Sequence, residues 1–272
     1  MSTDILLLRC NIMTDREKLI SHMLDLKDRC ATESVVTHSN FLSADELSDA
    51  IKTERKYNEY VDTFYYGGYS EAERKVIVFV PKFYEVTEEN FEDFINTEEL
   101  NPLAVLKVKK DKFSKLTHRD YLGAIMGLGL KREVTGDIIL SDDGCTLFCL
   151  KSIASYLTEN LRQAGRGQLT VSMSRTSDCV LTEINTETVF VSVASLRLDC
   201  LVAAAFRLSR TSAVNAVNQG IVYVNSVQIL KTDYQLKQGD KLVLRGKGKA
   251  YLDEIIRENK KGRIHINIKR YL

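Results

Sequence analysis

Side chains that can bind phosphate groups gather near the carboxyl end of the chain. Arginine offers a planar fork of donors, lysine a point charge and serine a hydroxyl group. The residues predicted to contact a polyanion are Arg197, Arg207, Ser209, Arg210, Arg245, Lys247, Lys249, Lys261 and Arg263. Glycines alternate with lysines from Gly246 to Lys249, so the backbone can approach a phosphate while the ammonium groups neutralise it.

The charge of the chain is divided unevenly along its length. Residues 1–100 hold 11 Lys and Arg against 21 Asp and Glu, a net of −10, although the whole chain of 272 residues has a net charge of only +1. Residues 101–194 hold 12 and 10, and residues 195–272 hold 15 and 6, a net of +9. A basic segment attached to an acidic one indicates a dedicated polyanion-binding module.

Two helices and two strands are predicted to position these cations. Leu198, Leu201 and Val202 lie on one apolar helix face, which leaves Arg197 and Arg207 free to project elsewhere. Ser209 is predicted to cap a second helix that ends at Gly220, and strands are predicted over 221–225 and 241–245. If the helix pair packs on the small sheet, the basic side chains converge on one face.

The rest of the chain is predicted to form a helical region and an α/β domain. Capping boxes at Thr14 and Ser43 predict helices over 14–29 and 43–60, and the paired glycines at 67 and 68 predict a turn packed by neighbouring aromatic rings. Further along, strands are predicted over 75–80, 103–109, 136–140, 146–150 and 168–174, and helices over 90–100, 117–128 and 152–161.

The basic segment resembles the S4 RNA-binding domain over roughly 50 residues. The matching positions are Arg197-Leu198-Asp199, Ser209-Arg210, Ala213, Gly220 to Asn225 and Gly239-Asp240. Ser226 departs from the family, which commonly has glycine after the asparagine, and this departure indicates a wider turn between the strands. The resemblance implies binding to structured RNA.

Nearly all of the chain after about residue 14 resembles the YlmH-type family of bacterial S4 proteins. The motifs are Gly67-Gly68-Tyr69 with Ala72-Glu73-Arg74, Leu116 to Ala124, Arg132-Glu133 with Gly136-Asp137, and Leu244 to Gly248. The resemblance implies association with the large ribosomal subunit carrying peptidyl-tRNA. We predict a non-enzymatic protein that docks on structured ribosomal RNA of that subunit, and whether it also contacts peptidyl-tRNA is left open. Its role would lie in rescue or quality control of stalled translation, and some members are linked to cell division.

The predicted fold class is α+β with three domains. A helical N-terminal region is expected over 1–74, an RRM-like or ferredoxin-like domain over 75–180, a connector over 181–194, and an S4 domain of the αL type with a basic C-terminal extension over 195–272. The middle domain lacks the aromatic signature of base-stacking RRMs, so it is predicted to contact protein or the ribosome surface. A monomer is expected.

Composition argues against membrane, secreted and metal-dependent classes. The opening aliphatic run, Ile5 to Leu8, is too short for a membrane span or a signal peptide, which predicts a cytoplasmic protein. None of the six cysteines forms the two-residue-spaced pair of zinc or redox sites, so buried free thiols, no metal and no cofactor are predicted.

Enzyme classes are not supported by the motifs. His118-Arg119-Asp120 matches the start of a kinase catalytic loop, but Ile125 stands where the metal-binding asparagine is expected. The triplet is therefore predicted to cap a helix, and Asp199 to pair with a nearby arginine. Two alternatives stay open: an RNA-modifying enzyme of the pseudouridine synthase type, and a cell-division scaffold with an RNA tether.

Overall fold

The computed structural model describes residues 14–54, 60–96, 100–175, 186–258 and 262–271. These residues form seven α-helices and three antiparallel sheets, so the α+β class is confirmed. No helix within these ranges has both the length and the apolar character that crossing a bilayer requires.

The N-terminal block, residues 15–81, contains a sheet as well as helices. Its elements are α1 (Asp15–Glu33), β1 (Thr37–His38), α2 (Ala44–Glu54), β2 (Val61–Tyr66) and β3 (Val76–Pro81). The sheet order is β1-β3-β2. Thr14 and Ser43 begin the two helices as predicted, each exchanging hydrogen bonds with the glutamate three residues later.

Two predictions for this block need correction. The region is not only helical, because β2 forms immediately before the paired glycines, where a β-branched and aromatic run buries every second or third side chain. The predicted boundary between residues 74 and 75 also separates β2 from β3, although the two strands pair from Val61 to Tyr66. The sequence alone places β3 in the middle domain, because a short apolar run does not reveal which strand it pairs with.

The middle block, residues 91–174, is a five-stranded sheet with two helices on one face and a short helix on the other. Its elements are α3 (Phe91–Ile95), β4 (Leu103–Lys110), α4 (His118–Gly127), β5 (Thr135–Ser141), β6 (Gly144–Leu150), α5 (Lys151–Asn160), β7 (Gln163–Ala164) and β8 (Gly167–Ser174). The sheet order is β5-β6-β4-β8-β7. The hairpin predicted across residues 142–144 is present, and α3 is shorter than predicted.

Strand β4 shows how the N-terminal and middle blocks share a core. Ala104 and Leu106 face α4 and α5, whereas Leu103 and Val105 pack with Phe148 against the N-terminal sheet. Alternation along a strand sends successive side chains to opposite faces, so both faces at this end of the sheet are covered.

The C-terminal block, residues 186–271, is a helix pair on a six-stranded sheet. Its elements are β9 (Thr186–Val193), α6 (Leu198–Ala205), α7 (Arg210–Asn218), β10 (Val222–Val224), β11 (Val227–Gln228), β12 (Lys241–Leu244), β13 (Gly248–Glu258) and β14 (Ile264–Tyr271). The sheet order is β11-β10-β12-β13-β14-β9. Leu198 and Leu201 on α6 pack with Leu242 and Ile266 of the sheet, all with 2% exposure or less.

Three further predictions are corrected here. Most of the predicted connector is β9, which pairs with β14 over 186–193, while 181–185 lies outside the described residues. The predicted basic extension forms the β13–β14 hairpin, because Leu252 and Ile268 alternate with polar neighbours and bury their side chains. The turn at Asn225-Ser226 is not wider but spans two residues, both at positive φ, since Val224 pairs directly with Val227.

Candidate nucleic-acid interface

The helix side of the basic surface comprises Arg197, Arg207 and Arg210, at the start of α6 and of α7 and between them. Arg197 precedes α6, and its Nε donates to Oδ1 of Asp199 at 3.0 Å. Arg210 is the first residue of α7 and approaches Oδ2 of the same carboxylate at 3.4 Å. Asp199 therefore holds the two arginines together, and the predicted pairing of this aspartate is confirmed.

The carboxylate lies beneath the guanidinium groups that it binds. The side chain of Asp199 is 2% exposed, against 35% for Arg197 and 64% for Arg210. Burial alone would raise the pKa of Asp199, but the hydrogen bonds and charges of the two arginines outweigh it, and its pKa is lowered. Each guanidinium keeps donors that point away from the carboxylate, available to a phosphate.

Arg207 and Ser209 have partners of their own. Arg207 is exposed, lies at positive φ, and contacts Oε1 of Glu187 at 3.5 Å. The hydroxyl of Ser209 accepts the Ser212 amide at 3.1 Å and so caps α7, as predicted. The Ser209 hydroxyl also lies 2.8 Å from Oγ of Ser212, and a phosphate contact by Ser209 stays a prediction.

The strand side of the basic surface comprises Lys241, Arg245, Lys247 and Lys249, on β12, β13 and the turn between them. Arg245 contacts the N-terminal block, since it donates to Oδ2 of Asp45 at 2.7 Å. It also donates to the hydroxyl of Tyr223, in its own block, at 2.9 Å. Asp45 lies in the first turn of α2. The pKa of Asp45 is lowered most by the hydrogen bond from Arg245, and next by the hydrogen bond from Tyr223.

Two more carboxylates of the N-terminal block meet strand-side lysines. Glu73 lies 2.8 Å from Nζ of Lys249, and Glu71 pairs with Lys241. Tyr271 also donates to Glu71, at 2.9 Å. Burial alone would raise the pKa of Glu71, but Lys241 and Tyr271 lower it by hydrogen bonding.

Helix α2 itself packs on the edge of the C-terminal sheet. The backbone amide of Gln228 on β11 donates to the hydroxyl of Ser48 at 2.9 Å. A cavity of about 270 Å³ remains between α2 and the β12–β13 turn, lined by Ala44, Leu47 and the strand-side residues Lys241, Arg245 and Lys249 among others. The N-terminal block therefore lies against the strand side of the basic surface.

The sequence does not indicate this contact, because it predicts that the basic residues share one face. In the structure they form two sets: Arg197 and Arg210 around Asp199, and Lys241, Arg245 and Lys249 around the N-terminal carboxylates. The only available signal was the charge difference between the two ends of the chain, which indicates attraction but no particular pairs.

The other residues predicted to contact RNA are Lys247, Arg263 and Lys261. Lys247 is exposed, and no ion pair of this lysine is found among the described residues. Arg263 donates to the hydroxyl and the carbonyl oxygen of Ser192 on β9, the latter at 2.6 Å. Lys261 lies outside the described residues.

The segment over residues 67–74 contacts the middle block as well as the C-terminal block. Asp137 on β5 accepts the Tyr69 hydroxyl at 2.8 Å and the Glu73 amide at 2.7 Å. Gly68 lies at φ +91, and an added Cβ would come within 2.5 Å of the Phe148 ring. The segment from Gly67 to Lys75 thus contacts the middle block through the Tyr69 side chain and the Glu73 amide, and the C-terminal block through its glutamates.

Other chemistry-bearing residues have structural partners. Asp120 forms a capping box with Thr117 at the start of α4, as predicted, and these hydrogen bonds lower its pKa. Cys30, Cys145 and Cys149 are free and buried, and burial raises the pKa of the last two to about 12. No cluster of potential metal ligands occurs in the ranges that the structure covers.

Fold and site together define an α+β protein whose C-terminal sheet carries a helix pair with outward-facing guanidinium groups. A family model described as "Putative RNA-binding domain in YlmH" matches residues 90–178. "Ribosome-associated protein quality control protein P2" of Bacillus subtilis (strain 168) is 33% identical over 205 residues, which make up 75% of this chain and 76% of that protein. The chain belongs to the YlmH-type family of RNA-binding proteins, as its motifs predicted.

One solved structure is also similar. "Cell division protein ylmH from Streptococcus pneumoniae" has 13% sequence identity to this chain and a TM-score of 0.47. The match covers 61% of this chain and 95% of that one.

Proposed function

We propose that this protein binds structured RNA of the large ribosomal subunit without catalysis and acts in rescue or quality control of stalled translation. The observation that carries the proposal is the Arg197–Asp199–Arg210 set, in which a buried carboxylate fixes two guanidinium groups with free donors facing outward. The quality-control name of the Bacillus subtilis relative supports the biological setting.

The C-terminal block is proposed to be an S4 domain and the middle block a ferredoxin-like, RRM-like domain. The succession β4-α4-β5-β6-α5-β8 supports the second assignment, because ferredoxin-like domains follow the same β-α-β-β-α-β order. The face of this sheet opposite α4 and α5 packs on α3 and the N-terminal sheet through Leu103, Val105 and Phe148, which favours contact with protein or the ribosome surface over base stacking.

An A-form RNA helix is the ligand that suits the helix side. Its bases lie in a deep, narrow major groove, so a basic surface reads phosphates and ribose hydroxyls from the shallow groove. Each arginine guanidinium can donate two parallel hydrogen bonds to one phosphate group. Because the guanidinium groups have a fixed geometry, they should favour an RNA whose two strands have a matching spacing of phosphates. Binding should therefore depend on RNA shape and on salt more than on sequence.

The remaining features of the proposal concern partners and setting. Ribosomal RNA, and peptidyl-tRNA held on the same subunit, are the proposed ligands, the proposed location is the cytoplasm, and a monomer is the proposed state. Asp199 is bound by Arg197 and Arg210 and is almost fully buried, which argues against its use as the nucleophile of an RNA-modifying enzyme.

The test is the double variant Arg207→Ala with Arg210→Ala in the full chain, measured by co-sedimentation with large ribosomal subunits. Each lost phosphate contact removes about 1 kcal/mol or more, so we expect binding to weaken at least about tenfold. The slope of log affinity against log salt should fall by about 2. For the unaltered protein, neutralising five or six phosphates predicts a loss of roughly two to three orders of magnitude between 50 and 200 mM salt.

Lys18→Ala with Arg29→Ala is the matched control. These two cations are 60% and 61% exposed, and their ion pairs within the described structure are with Asp15 and Glu33 of their own helix α1. The control removes the same charge from the chain and should leave binding within about twofold of the original. Equal losses in both double variants would show that only net charge matters and would contradict the proposed interface.

A further inference from the structure

The strand side carries its own negative charges in positions that an RNA could fill. Asp45 binds Arg245, Glu71 binds Lys241, and Glu73 binds Lys249. Carboxylate oxygens accept from arginine and lysine much as phosphate oxygens do. Among the residues that the structure describes, Lys241, Arg245 and Lys249 thus each have an anionic partner, supplied by a block that lies about 170 residues or more away in sequence, and Lys247 has none.

We propose that the strand side is a second phosphate-contact surface, and that α2 and the segment 67–75 cover it until RNA displaces Asp45 and Glu73. This inference rests on the proposed function, because the RNA that docks on the helix side is the ligand that would extend across the strand side. The covered form would then bind through the helix side and Lys247 alone.

The covering contacts are weak enough for RNA to replace. Arg245 and Asp45 are 52% and 53% exposed, and Glu73 is 66% exposed although its partner Lys249 is 20% exposed. Water screens both partners of the first pair and the carboxylate of the second, so these pairs contribute little to stability. The cavity of about 270 Å³ beside Arg245 and Lys249 shows in addition that α2 does not fill the space over the strands.

Other contacts of the N-terminal block keep it attached when these pairs open. Asp137 binds the Tyr69 hydroxyl and the backbone amides of Glu73 and Arg74, none of which involves a strand-side cation. Glu71 is 28% exposed, and its carboxylate is more protected from solvent than those of Asp45 and Glu73. Opening can therefore be local to α2 and to the side chain of Glu73.

The test compares two double variants of the full chain that change net charge equally. Asp45→Asn with Glu73→Gln removes the two exposed covering charges and keeps side-chain size. Asp25→Asn with Glu159→Gln is the control, because these acids are exposed on α1 and α5 and pair with no strand-side cation in the described structure. The probe is purified large ribosomal subunits in a salt series.

We expect the first variant to bind roughly tenfold more tightly than the control, because RNA no longer has to break two ion pairs before Arg245 and Lys249 reach phosphates. Affinity equal to that of the control, or weaker, overturns the inference while leaving the proposed function intact if Arg207→Ala with Arg210→Ala still reduces binding. Absence of binding by every form overturns both.

Hydrogen exchange on the unaltered chain gives an independent readout that does not depend on how the variants fold. The Gln228 amide is bonded to Ser48 of α2, so displacement of α2 should speed its exchange when subunits are bound. The Leu201 amide inside α6 serves as the internal reference and should keep its protection. Unchanged or greater protection of Gln228 in the bound state contradicts the displacement.

Discussion

The two sides of the basic surface place acidic residues in opposite positions. On the helix side Asp199 lies under Arg197 and Arg210, is 2% exposed, and belongs to the same short segment of chain. On the strand side Asp45 is as exposed as Arg245, Glu73 is more exposed than Lys249, and both carboxylates come from another block. A carboxylate beneath an arginine orients it toward a ligand, whereas one above it competes with the ligand.

Because of this difference, neutralising an acidic residue should weaken RNA binding on the helix side and strengthen it on the strand side. Neutralising Asp199 removes the acceptor that holds two arginines, so their side chains regain rotamer freedom that RNA must then remove. Neutralising Asp45 frees Arg245, which the RNA can then bind without a competing anion. A surface ion pair therefore says little about binding until the depth of each partner is known.

Asp199→Asn should have the largest effect. We expect the free energy of unfolding to fall by about 1.5 kcal/mol, because hydrogen bonds from charged donors to a buried carboxylate are weakened, and RNA binding to weaken about tenfold. Urea denaturation followed by circular dichroism measures the first, and co-sedimentation with large subunits the second. Asp45→Asn is the matched variant, and a loss of binding there as large as for Asp199→Asn would abolish the distinction between the sides.

The pH dependence of this stability difference should be the next largest effect. The pKa of Asp199 is lowered in the folded protein, so its stabilisation is complete above the ordinary aspartate pKa of about 3.9 and declines as the pH falls from there through the lowered value. The gap in unfolding free energy between the original chain and Asp199→Asn should stay constant from pH 7 to about 4 and shrink below that. Urea titrations across this range test the sign, and a gap that widens in acid contradicts the pairing.

The parts of the fold that sequence predicts are those set by neighbouring residues. The caps at Thr14, Ser43 and Ser209 and the left-handed Gly220 depend on contacts within a few residues, and all four are observed. The partner of β3, and the strand β9 in a predicted connector, depend on pairing across the chain, which no local pattern specifies.

The candidate site divides in the same way. The pairing of Asp199 with Arg197 could be predicted because two residues separate them at the start of a helix. The pairing of Asp45 with Arg245 could not, because 200 residues separate them and any of the many N-terminal acids satisfies the charge argument equally. The RNA contacts of these residues stay predictions.

Lys247→Ala should give the smallest effect and the sharpest contrast within the strand side. Lys247 is exposed in the turn between β12 and β13, and no N-terminal carboxylate in the described structure pairs with it, so it can meet a phosphate even while α2 covers Arg245. We expect a two- to threefold loss of affinity and a salt slope lower by about 1. Lys249→Ala, which removes a cation already neutralised by Glu73, should change affinity less than this when each is measured alone. In the Asp45→Asn, Glu73→Gln background the two lysines should become equivalent, and a persistent difference there would mean that depth in the turn, rather than the covering carboxylate, separates them.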